Sequence, residues 1–227
     1  MLASYKNIVV LTGAGVSRAA GLATYRGPGG LWSDPDKQAL STVEALEARR
    51  DDVTSMFWSF RTAIGAAQPT AAHRALAAFE RRCAGAFTLV TQNVDSLHQR
   101  AGSHRVVEYH GTLQRWRCEV CGRVTEPTTS ELPSCCGQAL RPDVVLFGEM
   151  IPHHAEHEVK GALRDCDLFV AVGTSGTVWP AASFVRSAAY AGARTILLNL
   201  EVDDEARDVY GECYAGAADE LVPHWFA

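Results

Sequence analysis

The sequence predicts an α/β fold: a doubly wound parallel sheet, Rossmann-like in layout, with a smaller zinc-binding and helical lobe. Three observations carry this expectation. Short apolar runs at 7–11, 87–90, 106–109, 167–172 and 195–199 have the composition of strands buried on both faces. Segments of helical period alternate with them through both ends of the chain. Four of the seven cysteines crowd between positions 118 and 136 and interrupt that alternation.

Size and composition set the frame. At 227 residues there is room for one large domain, or one domain plus a small satellite. A net charge of -5 and the lack of any Lys/Arg-rich run argue against a nucleic-acid partner. The opening stretch 1–7 runs straight into a strand, leaving no room for a secretory signal, and no apolar run reaches the roughly eighteen residues of a membrane span. A cytoplasmic protein with no membrane partner is therefore expected. There, clustered cysteines point to a metal before disulfides.

The first strand, 7–11, is followed by Thr12-Gly13-Ala14-Gly15-Val16-Ser17, a turn into a short helix whose free backbone amides suit an anion, most naturally a pyrophosphate. Such a Gly-Ala-Gly serves equally as a plain tight turn. The dinucleotide fingerprint is incomplete, because Arg18 stands where a third glycine belongs and no acidic strand end follows about twenty residues on. The glycine-rich loop 21–32, with Tyr25, Arg26 and Trp32, has the composition of a mobile cover over a ligand. From 41 to 79, apolar residues recur at spacings of three and four: Val43, Leu46, Met56, Phe57, Phe60, Ile64, Leu76 and Phe79. His73 in this stretch reads as a packing or capping histidine.

The strand at 87–90 stops where Thr91-Gln92-Asn93-Val94-Asp95-Ser96-Leu97-His98 begins, and that at 106–109 releases His110-Gly111 into a tight turn. Two strand ends thus bring amide, carboxylate and imidazole groups to one mouth, the place where open α/β sheets bind ligands. The alternative is that these are loop residues capping helices, Asp95 above all. Cys118 and Cys121 have the two-residue gap of a zinc knuckle, and Cys135 with Cys136 completes a set of four. Because the second pair is adjacent, its ligation requires a strained backbone. The stretch 143–149 reads as another strand. Gly173-Thr174-Ser175-Gly176-Thr177 is a second phosphate- or ribose-binding turn, a helix covers about 181–191, and Asn199-Leu200-Glu201 ends the strand at 195–199.

Taken together, Gly13-Ala14-Gly15-Val16-Ser17, Thr24-Tyr25-Arg26-Gly27, Gln92-Asn93-Val94-Asp95, His110-Gly111, Cys118 with Cys121, Phe147-Gly148-Glu149, Gly173-Thr174-Ser175 and Asn199-Leu200-Glu201 resemble, in order and spacing, the sirtuins. These are NAD-dependent protein lysine deacylases, and the match is to a catalytic core of bacterial type. The resemblance implies that Gly13, Ala14, Gly15 and Ser17, with Gly173, Thr174 and Ser175, hold the NAD phosphates and nearby ribose. Asn199 and Glu201 would then lie at the adenosine ribose, and Ala218 at the adenine. Asp95 and Val94 would fix the nicotinamide carboxamide, Gln92 and Asn93 the adjoining ribose and a water, and Tyr25 and Arg26 would shape the cover. Val144 and Val145 would pair with a substrate peptide whose acyl-lysine passes Phe147, Gly148 and Glu149. His110 would be the general base, with Asn93 beside it in the reaction, and Cys118, Cys121, Cys135 and Cys136 would bind a structural zinc. The products implied are deacylated lysine, nicotinamide and O-acyl-ADP-ribose.

The same resemblance implies one catalytic domain over 1–227. Its large lobe is built from about 1–35, 84–115 and 142–227, and its small lobe from about 36–83 (helical) and 116–141 (zinc-binding). Trp58 and Arg61 stand where members that prefer succinyl- or malonyl-lysine carry a tyrosine and an arginine. They share one helical face, and Arg61 offers a bidentate fork to a terminal carboxylate. This suggests acceptance of succinyl or malonyl as well as acetyl chains. The alternative is a surface arginine beside a core tryptophan, which leaves a plain deacetylase. A mono-ADP-ribosyltransferase on the same scaffold is a further rival. Tyr25 in place of phenylalanine, Ser96 in place of glycine, Gly176 in place of a larger residue and the adjacent Cys135-Cys136 depart from the family's usual pattern.

Overall fold

The computed structural model describes residues 2–23, 34–176 and 178–227. Its strands are β1 (Asn7–Thr12), β2 (Ala86–Thr91), β3 (Val106–Glu108), β4 (Gly111–Arg117), β5 (Val124–Thr125), β6 (Ser134–Cys135), β7 (Gln138–Ala139), β8 (Arg141–Val144), β9 (Leu168–Val172), β10 (Arg194–Asn199) and β11 (Glu212–Ala215). Its helices are α1 (Pro35–Ala39), α2 (Val43–Ala48), α3 (Arg50–Ala66), α4 (Ala71–Arg82), α5 (Leu97–Arg100), α6 (His153–Arg164), α7 (Phe184–Tyr190), α8 (Asp204–Val209) and α9 (Ala218–Trp225). Among the described residues, no helix is long and apolar enough to cross a membrane.

Six parallel strands form the main sheet in the order β11-β10-β9-β1-β2-β3. Alternate residues of β1 feed opposite faces, as the strand period of two requires. Ile8 and Val10 join a core with Leu76 and Phe79 of α4 and Val222 of α9, while Val9 and Leu11 join one with Val159 of α6 and Val185 of α7. Both faces being covered explains why these strands are apolar without alternation. The chain lays β2 and β3 on one side of β1 and β9 to β11 on the other. The switch point thus falls between β1 and β9, and Thr12 pairs level with both Thr91 and Val172.

A third core serves the smaller lobe. Val53, Phe57 and Ile64 on α3 pack with Leu113, Trp116 and Cys118 of the β4 region and with Leu140. Helix α4 begins at Thr70, whose hydroxyl and the ring of His73 close a reciprocal capping box, so the expected capping role of His73 is observed. Asp219 of α9 accepts from the amides of Ala71 and Ala72 and ties the two helices together.

The stretch 143–149 corrects the sequence reading. The strand is β8, ending at Val144, and it pairs antiparallel with β4. Beyond it Phe147 changes partner, its amide donating to Ser41 and its carbonyl accepting from Val43. The strand at 106–109 likewise stops at Glu108, which frees Tyr109 and His110 to turn.

Candidate active site

The switch point is built by two loops meeting backbone on backbone. The Gly13 amide donates to the Val172 carbonyl at 3.0 Å, and the Gly15 amide to the Gly173 carbonyl at 2.9 Å. A Cβ on Gly13 would lie 2.7 Å from the Gly173 oxygen, and one on Gly15 2.6 Å from the Gly173 Cα. The glycines are thus dictated first by this loop contact. From Gly13 the chain winds into a 3-10 turn over Ala14–Ala20 in which Ser17 is buried and Arg18 is exposed.

The end of β2 delivers the polar cluster. The Asn93 amide group donates to the Gly13 carbonyl at 3.1 Å and to Ser17 Oγ at 3.2 Å. Ser17 Oγ donates in turn to Asp95 Oδ2 at 2.6 Å, while Asp95 Oδ1 accepts the Leu97 amide at 3.0 Å. Asp95 is thus bonded through both oxygens, one taking the first amide of α5 and the other the Ser17 hydroxyl. Gln92 Nε2 donates to Thr174 Oγ1 at 2.9 Å, joining this cluster to the second glycine loop. Val94 lies against the third core, and its carbonyl accepts from Leu113.

His110 sits in the turn between β3 and β4, with Nδ1 3.2 Å from the Gln92 carbonyl. A carbonyl can only accept, so Nδ1 carries the hydrogen and Nε2 the lone pair. Burial pushes the imidazole below its ordinary value, against the opposing effect of the Gln92 carbonyl. Gly111 follows at φ 79°, where a Cβ would lie 2.1 Å from the Asp143 oxygen, so only glycine lets β8 come this close to the histidine turn.

Ser175 is exposed beyond Thr174, and the Asn199 side chain, at the end of β10, donates to the carbonyl of Glu201 at 3.0 Å. Ala218 opens α9 beside them. Tyr25 and Arg26 lie outside the described residues. Val144 is buried on β8, the edge strand of the three-stranded sheet β5-β4-β8, and the Val145 amide donates to the His110 carbonyl. Phe147 is 46% exposed despite its apolar ring, and Gly148 follows at φ 90°. The Glu149 carboxylate turns away, onto Arg141 and the Leu146 amide.

Trp58 and Arg61 sit together on α3. The Trp58 indole donates to the Ser130 carbonyl at 3.0 Å, and Arg61 donates to the Pro127 carbonyl with its guanidinium 4.9 Å from the Trp58 ring. Both are held at the seam between α3 and segment 127–130, and Arg61 Nε is buried without a hydrogen-bond partner.

The four cysteines converge. Their sulfurs all lie within 4.8 Å of one another, with Cys121–Cys135 at 3.7 Å and Cys135–Cys136 at 3.8 Å. A tetrahedron with zinc–sulfur bonds of about 2.3 Å has edges of about 3.8 Å, so the donor set fits zinc. The adjacent pair is reconciled by backbone geometry: Cys136 adopts φ 51° and Gly137 φ 79°, consecutive left-handed residues that bring both thiols to the same side.

Other residues at this site are given no role by the sequence reading, although Thr12, Thr91 and His98 stand in its candidate stretches. Thr12 and Thr91, the last residues of β1 and β2, share a hydrogen bond of 2.9 Å, and His98 Nε2 lies 2.9 Å from Thr12 Oγ1. Arg141, 1% exposed, anchors the turn after β8 through Glu149 and the Val144 carbonyl.

Two glycine loops meeting at the switch point of a parallel sheet, with a buried polar cluster and a desolvated imidazole beside them, define the layout of a nucleotide-dependent enzyme, and its smaller lobe carries four cysteines that fit zinc. Comparison with known proteins makes this specific. The model of the Sir2 family matches residues 13–180, and the chain belongs to that family. It is 42% identical to an NAD-dependent protein deacylase of Pasteurella multocida, over 97% of this chain and 96% of that one. Among solved structures, a Sir2 homologue bound to NAD is 34% identical with a TM-score of 0.90, the match covering 99% of this chain and 90% of the other. A mutant Sir2 homologue bound to ADP-ribose, also 34% identical, superposes with a TM-score of 0.91 over 99% and 92% of the two chains.

Proposed function

We propose that this protein removes acyl groups from lysine side chains of proteins in an NAD-dependent reaction. The observation that carries the reading is the His110 imidazole, held by the Gln92 carbonyl, its Nε2 lone pair without a partner among the described residues, beside the Asn93–Ser17–Asp95 cluster. The Gly13 and Gly15 amides are engaged by the Val172 and Gly173 carbonyls, so the fit to NAD rests on the polar side chains around them, Ser17, Gln92, Asn93 and Asp95. The Gly13–Gly15 and Gly173–Ser175 loops, at the switch point, would take the pyrophosphate and ribose, and Asn199, Glu201 and Ala218, at the neighbouring strand and helix ends, the adenosine. Bound there, NAD supplies a glycosidic bond whose cleavage releases nicotinamide and leaves the ribose to take the acyl group from lysine.

The chain's own groups then have defined tasks. Asp95 and the Val94 backbone would hold the carboxamide, and Gln92 and Asn93 would orient the ribose and a water. His110 would accept a ribose hydroxyl proton at Nε2, its lowered pKa keeping it neutral at working pH. Tyr25 and Arg26 would form the cover. The substrate backbone would add to the free edge of β8 at Val144 and Val145, its lysine passing Phe147 and Gly148. Glu149, through Arg141, would hold that turn in place. Zinc would bind the four cysteines and do no chemistry, stabilising a small lobe at 116–141 with α2 and α3; α4, the last part of the expected 36–83 segment, packs on the main sheet instead. A cytoplasmic setting agrees with seven cysteines free of disulfides. Incubation with NAD and an acetyl-lysine peptide tests the reading: nicotinamide should be released only when the acyl peptide is present. Equal release without it would refute acyl transfer.

The finer proposal is that succinyl and malonyl chains are accepted beside acetyl, supported by the unpaired Nε of Arg61. The contacts of Trp58 with Ser130 and of Arg61 with Pro127 favour the rival reading, a seam residue pair in a plain deacetylase. The ratio of kcat/KM on succinyl and acetyl forms of one peptide separates the two. It should fall about tenfold or more in Arg61→Met, the loss of a charge-assisted bond, and an unchanged ratio would remove Arg61 from the acyl pocket.

A further inference from the structure

Behind the polar cluster lie two fully buried imidazoles. The rings of His73 and His98 have centroids 4.5 Å apart, and each keeps one buried nitrogen without a partner, Nε2 of His73 and Nδ1 of His98. Their other contacts fix which nitrogen carries the hydrogen. Thr12 Oγ1 gives its only hydrogen to Thr91 Oγ1, so at 2.9 Å from His98 Nε2 it accepts, and His98 is protonated at Nε2. His73 Nδ1 lies 3.2 Å from the Thr70 amide, which can only donate, so Nδ1 accepts; the Thr70 hydroxyl at 2.8 Å then gives its hydrogen to Nδ1 and not to the Val16 carbonyl at 3.1 Å, and the ring hydrogen is on Nε2. The two partnerless nitrogens are therefore complementary, a donor on His73 and an acceptor on His98. Burial pushes both rings well toward the neutral form.

The chain of bonds continues forward. Thr91 Oγ1, which accepts from Thr12, also accepts the backbone amide of Asn93 at 3.1 Å. We propose that His98 is a positioning residue for the deacylation reaction: its Nε2–H orients the Thr12 hydroxyl, which in turn orients Thr91 beneath the Asn93 amide. The Gln92–Asn93 turn is thereby held where β1 and β2 end. The proposal rests on the functional reading given above. His98 and Thr12 touch neither substrate nor cofactor in it, so their effect reaches turnover only through Asn93.

Thr12→Val removes the hydroxyl at nearly constant volume, and Thr12→Ser restores it. Thr12→Val is expected to lower kcat by about tenfold with KM for the acyl peptide unchanged, the pattern of a lost transition-state arrangement, and Thr12→Ser should recover to within about twofold of wild type. Long-range proton–nitrogen spectra of imidazole-labelled wild-type protein should show His98 protonated at Nε2 and bare at Nδ1. Turnover of Thr12→Val within about twofold of wild type, a Thr12→Ser variant as impaired as Thr12→Val, or a His98 proton on Nδ1 would each overturn the proposal. Should Thr12→Val fail to fold, the wild-type spectrum decides. Absence of NAD-dependent deacylation in wild type would instead refute the functional reading, and the spectrum would still judge the hydrogen-bond chain.

Discussion

Glu149→Gln isolates the ion pair that shapes the turn after β8. Arg141 is 1% exposed and Glu149 18%, so both charges are largely removed from water. The pair is bidentate, with Nη2 2.9 Å from Oε2, and the same carboxylate accepts the Leu146 amide at 2.8 Å. The substitution keeps the side chain's shape but leaves the guanidinium, among the described residues, with only Glu119, at 3.4 Å and 36% exposed, as an anionic partner. Stranding one member of a buried pair costs about 3 to 5 kcal/mol, and the remaining Glu119 puts this case at the lower end, about 3 kcal/mol. For a chain of this size that is a fall in Tm of roughly 6 to 12 °C. Burial raises the Glu149 pKa, but the bond to Arg141 outweighs it and holds the carboxyl below its ordinary value. Its stabilising contribution is thus complete above the unfolded-state pKa and lost as pH falls through the lowered folded value. Calorimetric melts of both proteins from pH 7 into the acid range test this. The variant should melt lower at neutral pH, and the gap should narrow in acid. A difference below about 1 kcal/mol at pH 7, or one independent of pH, would refute a buried pair of this strength.

Further outcomes follow from the same geometry. His110→Ala should reduce deacylation by about 10²- to 10⁴-fold while NAD binding measured by calorimetry persists; turnover near wild type would remove it as the base. Because burial lowers the His110 pKa, the acidic limb of kcat/KM against pH should lie below 6.5, and a limb above that value would contradict the desolvated site. Stripping zinc with a chelator should lower Tm and change the emission of the buried Trp116, which shares a core with Cys118; an unaltered melt would show that the lobe needs no metal. Ser96, at φ 55°, bonds Thr112 through its hydroxyl at 2.8 Å. Ser96→Ala keeps the left-handed strain and loses that bond, costing about 1 kcal/mol, whereas Ser96→Gly relieves the strain and should lie within about 0.5 kcal/mol of wild type in urea melts.

The parts of the molecule legible in the sequence are those whose cause is local. Strands β1, β2, β9 and β10 are buried on both faces and read as unbroken apolar runs, and the glycine turns and the Gln92–Asp95 stretch stand where those runs stop. Strand β4 escaped because Gln114, Arg115 and Arg117 interrupt Leu113 and Trp116, the mark of a half-exposed strand in the smaller lobe. The edge strand β11, Glu212–Ala215, has no buried residue to announce it. At the site, Thr12 meets Thr91 and His98 across 79 and 86 residues of chain, and no local pattern encodes such a meeting. Arg141 goes without a role in the sequence because its partners, Glu149 and the Val144 carbonyl, are brought to it only by the turn after β8. The adjacent cysteines looked geometrically awkward, and the left-handed conformation of Cys136 resolves them in a way sequence spacing does not reveal.

The central claim is that acyl transfer from lysine and consumption of NAD are one reaction. Mass spectrometry of wild-type protein incubated with NAD and an acyl-lysine peptide tests it most directly. Deacylated peptide, nicotinamide and O-acyl-ADP-ribose should appear together in equal amounts, and none should form without NAD. Deacylation without NAD, or ADP-ribose recovered on protein while the lysine stays acylated, would contradict it.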